Sequence, residues 1–380
     1  MTTLKSRRLF DIPVSTMVTA LVIFGVIMIG SAGGWVYDSQ HITLSRLMIR
    51  QLVGFVIGCV IVYVIWICPY RFFRILAIPS YIAILILLLL VLRFGEGAEA
   101  GDNVRRWLPL FTDINIQPSE FAKIALILCL AWYFERFREK LYHPLAVLGA
   151  VLISVVPLYL VYREPDLSTS LVICAVVFAC FFSAKVHWGY ILAALLLLGG
   201  GLFLIMKDAL SETPRILSAY QAERILAWLH PEDYALTAAY QSIQSRTAIG
   251  AGGLLGKGLF HNSGMVPIAT TDFIFGVIGE EFGLVGGSII IAWYFLLSFR
   301  ILRFGFHTED VFGRVICVGS AVMIAFQAVV HIGVTIAVLP NTGLPLPFVS
   351  YGLSSLTANM AAVGLVLRME AENRRYRKRR

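Results

Sequence analysis

Apolar runs of roughly 20 residues recur along the whole chain, and no other feature restricts its fold so strongly. Each run is long enough to cross a hydrocarbon core about 30 Å thick. Lipid is then the solvent for most of the surface, and backbone polar groups must pair inside helices. A closed barrel is the other spanning solution, but it needs strands of about ten residues that alternate apolar with polar. Runs such as 83–92 and 191–198 do not alternate. Composition agrees with helices in lipid: the 380 residues are 58% hydrophobic and 14% charged, too little polar surface for a soluble chain of this length.

The expected fold is an all-α integral membrane protein, a polytopic bundle of about ten transmembrane helices. The spans fall near 14–36, 47–68, 72–93, 117–135, 144–162, 168–184, 188–206, 274–299, 311–338 and 346–368. A long extracytoplasmic loop, about 207–273, separates helices 7 and 8, and 1–380 reads as one membrane domain without a strict repeat. The first run is too long for the core of a signal peptide and is read as a retained helix. One set of loops carries Lys5, Arg7 and Arg8, then Arg71 and Arg74, Arg136, Arg138 and Lys140, Lys185, Arg300 and Arg303, and finally a basic tail from about 369 to 380. The excess of Lys and Arg marks that side as cytoplasmic, which places both termini inside. The tail suits anionic lipid at the membrane surface. The net charge of +8 follows from these loops, and no single basic face speaks for nucleic acid. Six scattered cysteines and seven histidines show no zinc or disulfide spacing.

Polar groups inside or beside a span are costly, so each is a candidate for function. Glu120 and Lys123 stand three residues apart on one helical face, with Lys123 roughly 8 Å into its span. They read either as a structural ion pair or as a site where a cation meets an anionic substrate. Asp166, within 163–167, opens a helix on the outer side, where a capping carboxylate is the plain alternative. Asp272 ends the long outer loop, again with capping as the plain alternative. Gly276, Gly279 and Gly283 fall within about 40° of it on a helix, so backbones can approach there. A carboxylate in such a cleft acquires a raised pKa, which suits a general base.

The stretch 339–352 carries Pro340, Pro345 and Pro347, which forbid ordinary helix. Irregular backbone at that depth is buried in protein or lines a cavity; a rigid connector is the alternative. Arg50 and Gln51 open the second span on the outer side, where a snorkelling arginine is the simple account. Arg105, Arg106 and Trp107 form a basic and aromatic knot, with Trp107 suited to the interface. The glycines at 250–258 lack the Gly-Lys-Ser/Thr ending of a phosphate loop and are not read as a nucleotide site.

Taken together and in order, segments 117–123, 164–169, 224–258, 271–283 and 339–355 resemble the shape, elongation, division and sporulation (SEDS) family over nearly the whole chain. The resemblance implies a peptidoglycan glycosyltransferase in the bacterial cytoplasmic membrane, acting on lipid II at the outer face. It implies that Asp272 is the general base, taking the proton of an acceptor sugar hydroxyl. Arg50, Arg106, Trp107, Glu120, Lys123, Asp166 and Arg224 are then expected around the substrate, with cations facing the leaving diphosphate. It further implies a class B penicillin-binding protein as partner and allows a divalent cation, magnesium or manganese, for which no complete ligand set is visible. The chain departs from the family pattern at Ile268–Thr270, Glu164, Ser168 and Leu353. Short termini and the 240–258 stretch lean towards the elongation type. A lipid-precursor flippase is the alternative, since transporters also carry intramembrane charges and proline-broken segments; a scaffold without chemistry is a third.

Overall fold

The computed structural model describes residues 11–33, 45–97, 105–111, 114–211, 214–217 and 219–377. The basic residues Lys5, Arg7, Arg8, Lys378, Arg379 and Arg380, and the end of the first expected span at 34–36, lie outside the described residues. In chain order the elements are α1 (Ile12–Ala32), α2 (Arg46–Ile67), α3 (Tyr70–Phe94), a hairpin of β1 (Leu108–Phe111) and β2 (Ile114–Ile116), α4 (Pro118–Arg136), α5 (Pro144–Arg163) and α6 (Leu167–Ser183). They continue with α7 (Trp188–Ala209), α8 (Ala219–Leu229), α9 (Tyr240–Gly252), α10 (Ile274–Phe306), α11 (Val311–Thr335) and α12 (Leu353–Arg377).

Each expected span overlaps a helix, although the last helix begins only at Leu353, past the proline-bearing 346–352, and not all ten are apolar enough to be assigned as crossings by composition. Seven described helices, α1, α2, α3, α5, α7, α10 and α11, are long and apolar enough to cross a membrane. The other three fall short for identifiable reasons. α4 carries Glu120, Lys123, Glu135 and Arg136 in 19 residues. α6 has only 17 residues. α12 turns polar from Arg368 onward. These three helices pack inside the assembly, where charge is tolerated: α11 is the most buried of the seven apolar helices, and α4, α6, α10 and α12 pack around it. α7 lies at the edge and is mostly exposed. The long loop is not structureless either, since it folds into α8 and α9.

Local chemistry explains how the pieces start and join. Asp11 caps α1 by accepting from the Val14 amide at 3.1 Å, with Pro13 in the first turn. The same carboxylate, only 2% exposed, accepts from Arg300 at 3.0 Å through both oxygens and from Arg374 at 2.6 Å. One acid thus ties together α1, α10 and α12. Nearby, Arg74 reaches Glu135 at 2.5 Å and Asp310 at 3.3 Å, and the Tyr70 hydroxyl donates to Asp310.

At the other end, α9 and α10 meet through glycine. Gly276 faces Ser245 and Gly279 faces Ile249, while a Cβ on Gly252 would stand 2.1 Å from the Gly279 oxygen. α10 is interrupted at Gly283, whose φ of 64° falls in the left-handed region that favours glycine. Loop amides fill the gap: Lys257 and Gly258 donate to the Glu280 and Glu281 carbonyls at 3.0 and 2.9 Å, and Leu284 and Val285 donate to the Gly253 and Leu254 carbonyls at 2.9 and 3.1 Å. The glycines at 250–258 therefore form a backbone clasp on α10.

Candidate functional site

Asp272 sits immediately before α10, but it does not cap that helix. The capping position is Phe273, with no side-chain cap bond. The carboxylate instead stands among polar groups from α8, from the segment before β1 and from the start of α6. A hydrogen bond from the Thr271 side chain reaches it, and Arg224, Arg106 and Asp166 lie within its electrostatic neighbourhood. Burial pushes its pKa above the ordinary carboxylate value, and the positive charge of Arg224, the Thr271 bond and Arg106 oppose that rise.

Four segments assemble this site. α8 brings Arg224, whose Nη1 donates to the Asn341 carbonyl at 3.2 Å. The 336–352 connector is irregular, with Ala337 at φ 61°, Gly343 at 70° and Phe348 at 67°. Strain of this kind costs about 1–3 kcal/mol for each non-glycine residue and gathers at functional sites. At Gly343 a side chain would stand 3.3 Å from Asp272 Oδ2 and 3.8 Å from Arg224 Nη1, so only glycine lets the connector pass between them. The connector is pinned on its far side as well. The Ser350 hydroxyl donates to the Thr271 carbonyl at 2.5 Å, the Tyr351 amide donates to Thr270 at 2.8 Å, and Gln51 bonds Ser350 and Gly352 at 3.1 and 3.2 Å.

Arg106 arrives from the segment before β1. It donates to the Glu164 and Pro165 carbonyls at 3.4 and 2.5 Å. Its neighbour Trp107 pairs through the backbone with Glu96. Asp166 is the N-cap of α6, accepting from the Thr169 amide at 3.0 Å and hydroxyl at 2.9 Å, and it also accepts from Gln117 at 3.2 Å. The capping account of Asp166 therefore holds, while its carboxylate also contributes to the field around Asp272. Glu120 and Lys123 are joined at 2.9 Å, both almost wholly buried. Arg50 lies exposed on α2.

The structure thus brings Asp272, Arg224, Arg106 and Asp166 together, with the Glu120–Lys123 pair one turn inside α4. It also shows buried acids that sequence reading did not single out. Glu164 is fully buried with neither carboxylate oxygen hydrogen-bonded. Burial, with the Asp166 charge adding and Arg106 opposing, pushes its pKa up to about 9. Glu280 and Glu281 are buried beneath the glycine clasp, where Glu280 accepts from Lys257 at 2.6 Å and Glu281 from Asn262 at 2.7 Å. Their adjacency to Gly279 and Gly283 was the available signal, because a charged pair inside an apolar glycine-spaced run is costly without a partner. Among the described residues no three His, Cys, Asp or Glu side chains converge as metal ligands. Asp166 is engaged by Gln117 and Thr169, and Asp272 is faced by Arg224 and Thr271.

Comparison with known proteins gives concordant results. The model of the cell cycle protein family FTSW_RODA_SPOVE matches residues 13–375. The probable peptidoglycan glycosyltransferase FtsW of Trichlorobacter lovleyi is 35% identical over 371 residues, covering 95% of this chain and 93% of that protein. The peptidoglycan glycosyltransferase MrdB of Escherichia coli K12 is also 35% identical, over 357 residues, covering 92% of this chain and 90% of that protein. A chain from a solved peptidoglycan synthase complex, in which polymerization and crosslinking are coordinated, superposes with a TM-score of 0.79. It is 30% identical and covers 96% of this chain and 98% of its own.

Proposed function

This chain belongs to the FTSW_RODA_SPOVE family of cell cycle proteins, and on that premise we propose that it is a peptidoglycan glycosyltransferase that polymerises lipid II at the outer face of the membrane. The observation that carries the reading is the Asp272 carboxylate, set beside Arg224 and Arg106 at the end of the bundle opposite the basic loops. Asp272 takes the proton from the acceptor sugar's 4-hydroxyl. That oxygen attacks the anomeric carbon of the donor, whose bond to the lipid diphosphate breaks with the electron pair on the departing oxygen. A pKa raised by burial makes the carboxylate a better proton acceptor. Arg224 and Arg106 stabilise the negative charge that develops. Arg50 and Trp107 serve substrate at the interface, and Asp166 orders Gln117 at the rim. The Glu120–Lys123 pair supplies a fixed dipole beneath the site.

The whole chain forms one membrane domain in this reading, and the three helices with less apolar sequences also traverse it. α4 runs from Gln117, beside Asp166, to Glu135, beside Arg74, a rise of about 28 Å. α12 passes from Gly352, at Gln51, to Arg368, which donates to the Cys68 carbonyl at 2.8 Å, and so keeps company with α2 from end to end. α6 links Asp166 to the Lys185 side. Ten traverses put both termini on the basic, cytoplasmic side. The solved synthase complex couples polymerization with crosslinking, and by analogy a class B penicillin-binding protein supplies the transpeptidase here.

The test is lipid II polymerisation by the purified chain, with and without such a partner, for wild type and Asp272→Ala. Glycan strands from wild type and none from the variant are expected. Strands from both would remove Asp272 from the mechanism. Transbilayer movement of lipid II without strands would move the assignment to a flippase.

A further inference from the structure

A small cavity lies beside Arg224. Its walls include Arg224 and Trp228 of α8, Ser242 and Arg246 of α9, and Ala337 and Asn341 of the connector, and its volume is about 50 Å³. That space holds about three or four waters. It is too small for a disaccharide and large enough for one phosphate group.

Its chemistry is not that of a generic crevice. Two arginines line it, and a guanidinium offers planar forked donors matched to phosphate oxygens. The first turn of α9 forms a wall, so its partial positive charge adds to theirs. The Trp228 indole donates to the Ala337 carbonyl at 3.2 Å, which removes a carbonyl that would repel an anion. Asn341 is fixed by Gln241 at 3.0 Å and by Arg224. Ala337 stands in the left-handed region, a strained position that folds the connector over the opening. Arg246 is exposed and lines the cavity from α9, as Arg224 does from α8. The cavity is lined by Ala337 and Asn341, just beyond the end of α11, so on the polymerase reading it stands near the level of lipid phosphate.

We infer that this cavity is the subsite for the diphosphate of the polyprenyl-linked donor, clamped between Arg224 and Arg246 as the sugar is transferred. One phosphate fills the cavity and the other lies at its mouth. Arg224 lines the cavity, and both its Nη1 and Asp272 Oδ2 lie within 4 Å of the Cβ position at Gly343. The leaving group is thereby one guanidinium away from the base. Two cations suit a doubly charged diphosphate better than a single carboxylate of a peptide stem. The inference rests on the polymerase reading and extends it to Arg246, Trp228 and Ser242.

The test uses the full chain in phosphatidylcholine nanodiscs and measures binding of undecaprenyl diphosphate to wild type, Arg246→Ala and Arg246→Lys. Loss of charge-assisted hydrogen bonds should weaken binding about tenfold or more in the alanine variant, with partial recovery in the lysine variant. Inorganic pyrophosphate should compete in wild type only. In polymerisation assays Arg246→Ala should relieve product inhibition by undecaprenyl diphosphate to the same degree. Unchanged diphosphate binding in Arg246→Ala overturns the inference and leaves the polymerase reading intact if Asp272→Ala is still inactive. Equal competition by phosphatidylglycerol also overturns it, since the cavity would then be a site for bulk lipid headgroups. Arg246-dependent binding in a chain that makes no glycan supports the subsite and removes the polymerase.

Discussion

The two ends of the helix bundle spend their charges differently. At the basic end, acid meets base directly: Asp11 holds Arg300 and Arg374, and Arg74 joins Glu135 and Asp310. At the opposite end, Glu120 and Glu280 still meet lysines, at 2.9 and 2.6 Å, but the groups nearest Asp272 are supported by neutral partners. Arg106 rests on Glu164 and Pro165, Arg224 on Asn341, and Asp166 on Gln117 and Thr169. The first arrangement closes a network and fixes three helices against one another. The second fixes the position of each charge while leaving its field to act on whatever enters. The contrast teaches that a charge matters for stability where its partner is another side chain, and for chemistry where its support is neutral.

Three substitutions sharpen this contrast. Arg224→Gln should reduce polymerisation about hundredfold, as losing one preorganised donor does, with little change in melting temperature. Its pH profile adds a signature. Removing a positive charge raises the pKa of Asp272 further, the ionised base is lost at a higher pH, and the acid limb of kcat/KM should move upward. An unmoved limb would separate Arg224 from Asp272. Arg300→Ala should do the reverse. It strips the buried Asp11 of its bidentate partner, at a cost of about 1–2 kcal/mol given the partial exposure of Arg300. Unfolding in detergent should report that loss while the specific activity of the folded fraction stays unchanged. Glu164→Gln should have the smallest effect. With a pKa pushed up to about 9, the buried carboxyl is already neutral at pH 7, and glutamine reproduces its shape. A large drop in either stability or rate would show that Glu164 works as an anion.

Much of this was legible in the sequence because lipid imposes a strict length rule. Each apolar run became a helix, and Gly276, Gly279 and Gly283 announced the close contact with α9. The Glu120–Lys123 pair followed from helical spacing alone. What the sequence concealed was set by tertiary context. α8 and α9 have only 11 and 13 residues and mix polar side chains such as Gln221, Glu223, Gln241 and Ser245 with their apolar ones, so they do not stand out against a polar loop. Asp272 looked equally suited to capping α10 until the backbone placed Phe273 in that position. Arg246 had no distinguishing neighbour in sequence, because its counterpart in the cavity wall lies on α8. The subtype is equally unmarked by overall similarity, as FtsW and MrdB relatives share the same 35% identity with the chain.

The clasp at Gly283 divides α10 into two rods that meet at an unwound joint. The shorter rod, 274–282, is bonded through main-chain atoms to the 253–258 loop and carries Asp272 at its free end. The longer rod is embedded among the bundle helices. It is also tied to the same loop, because Leu284 and Val285 donate to the Gly253 and Leu254 carbonyls at 2.9 and 3.1 Å. One loop therefore splints the break from both sides, and the direction in which Asp272 enters the site is set by the 253–258 backbone as much as by the helix that follows it.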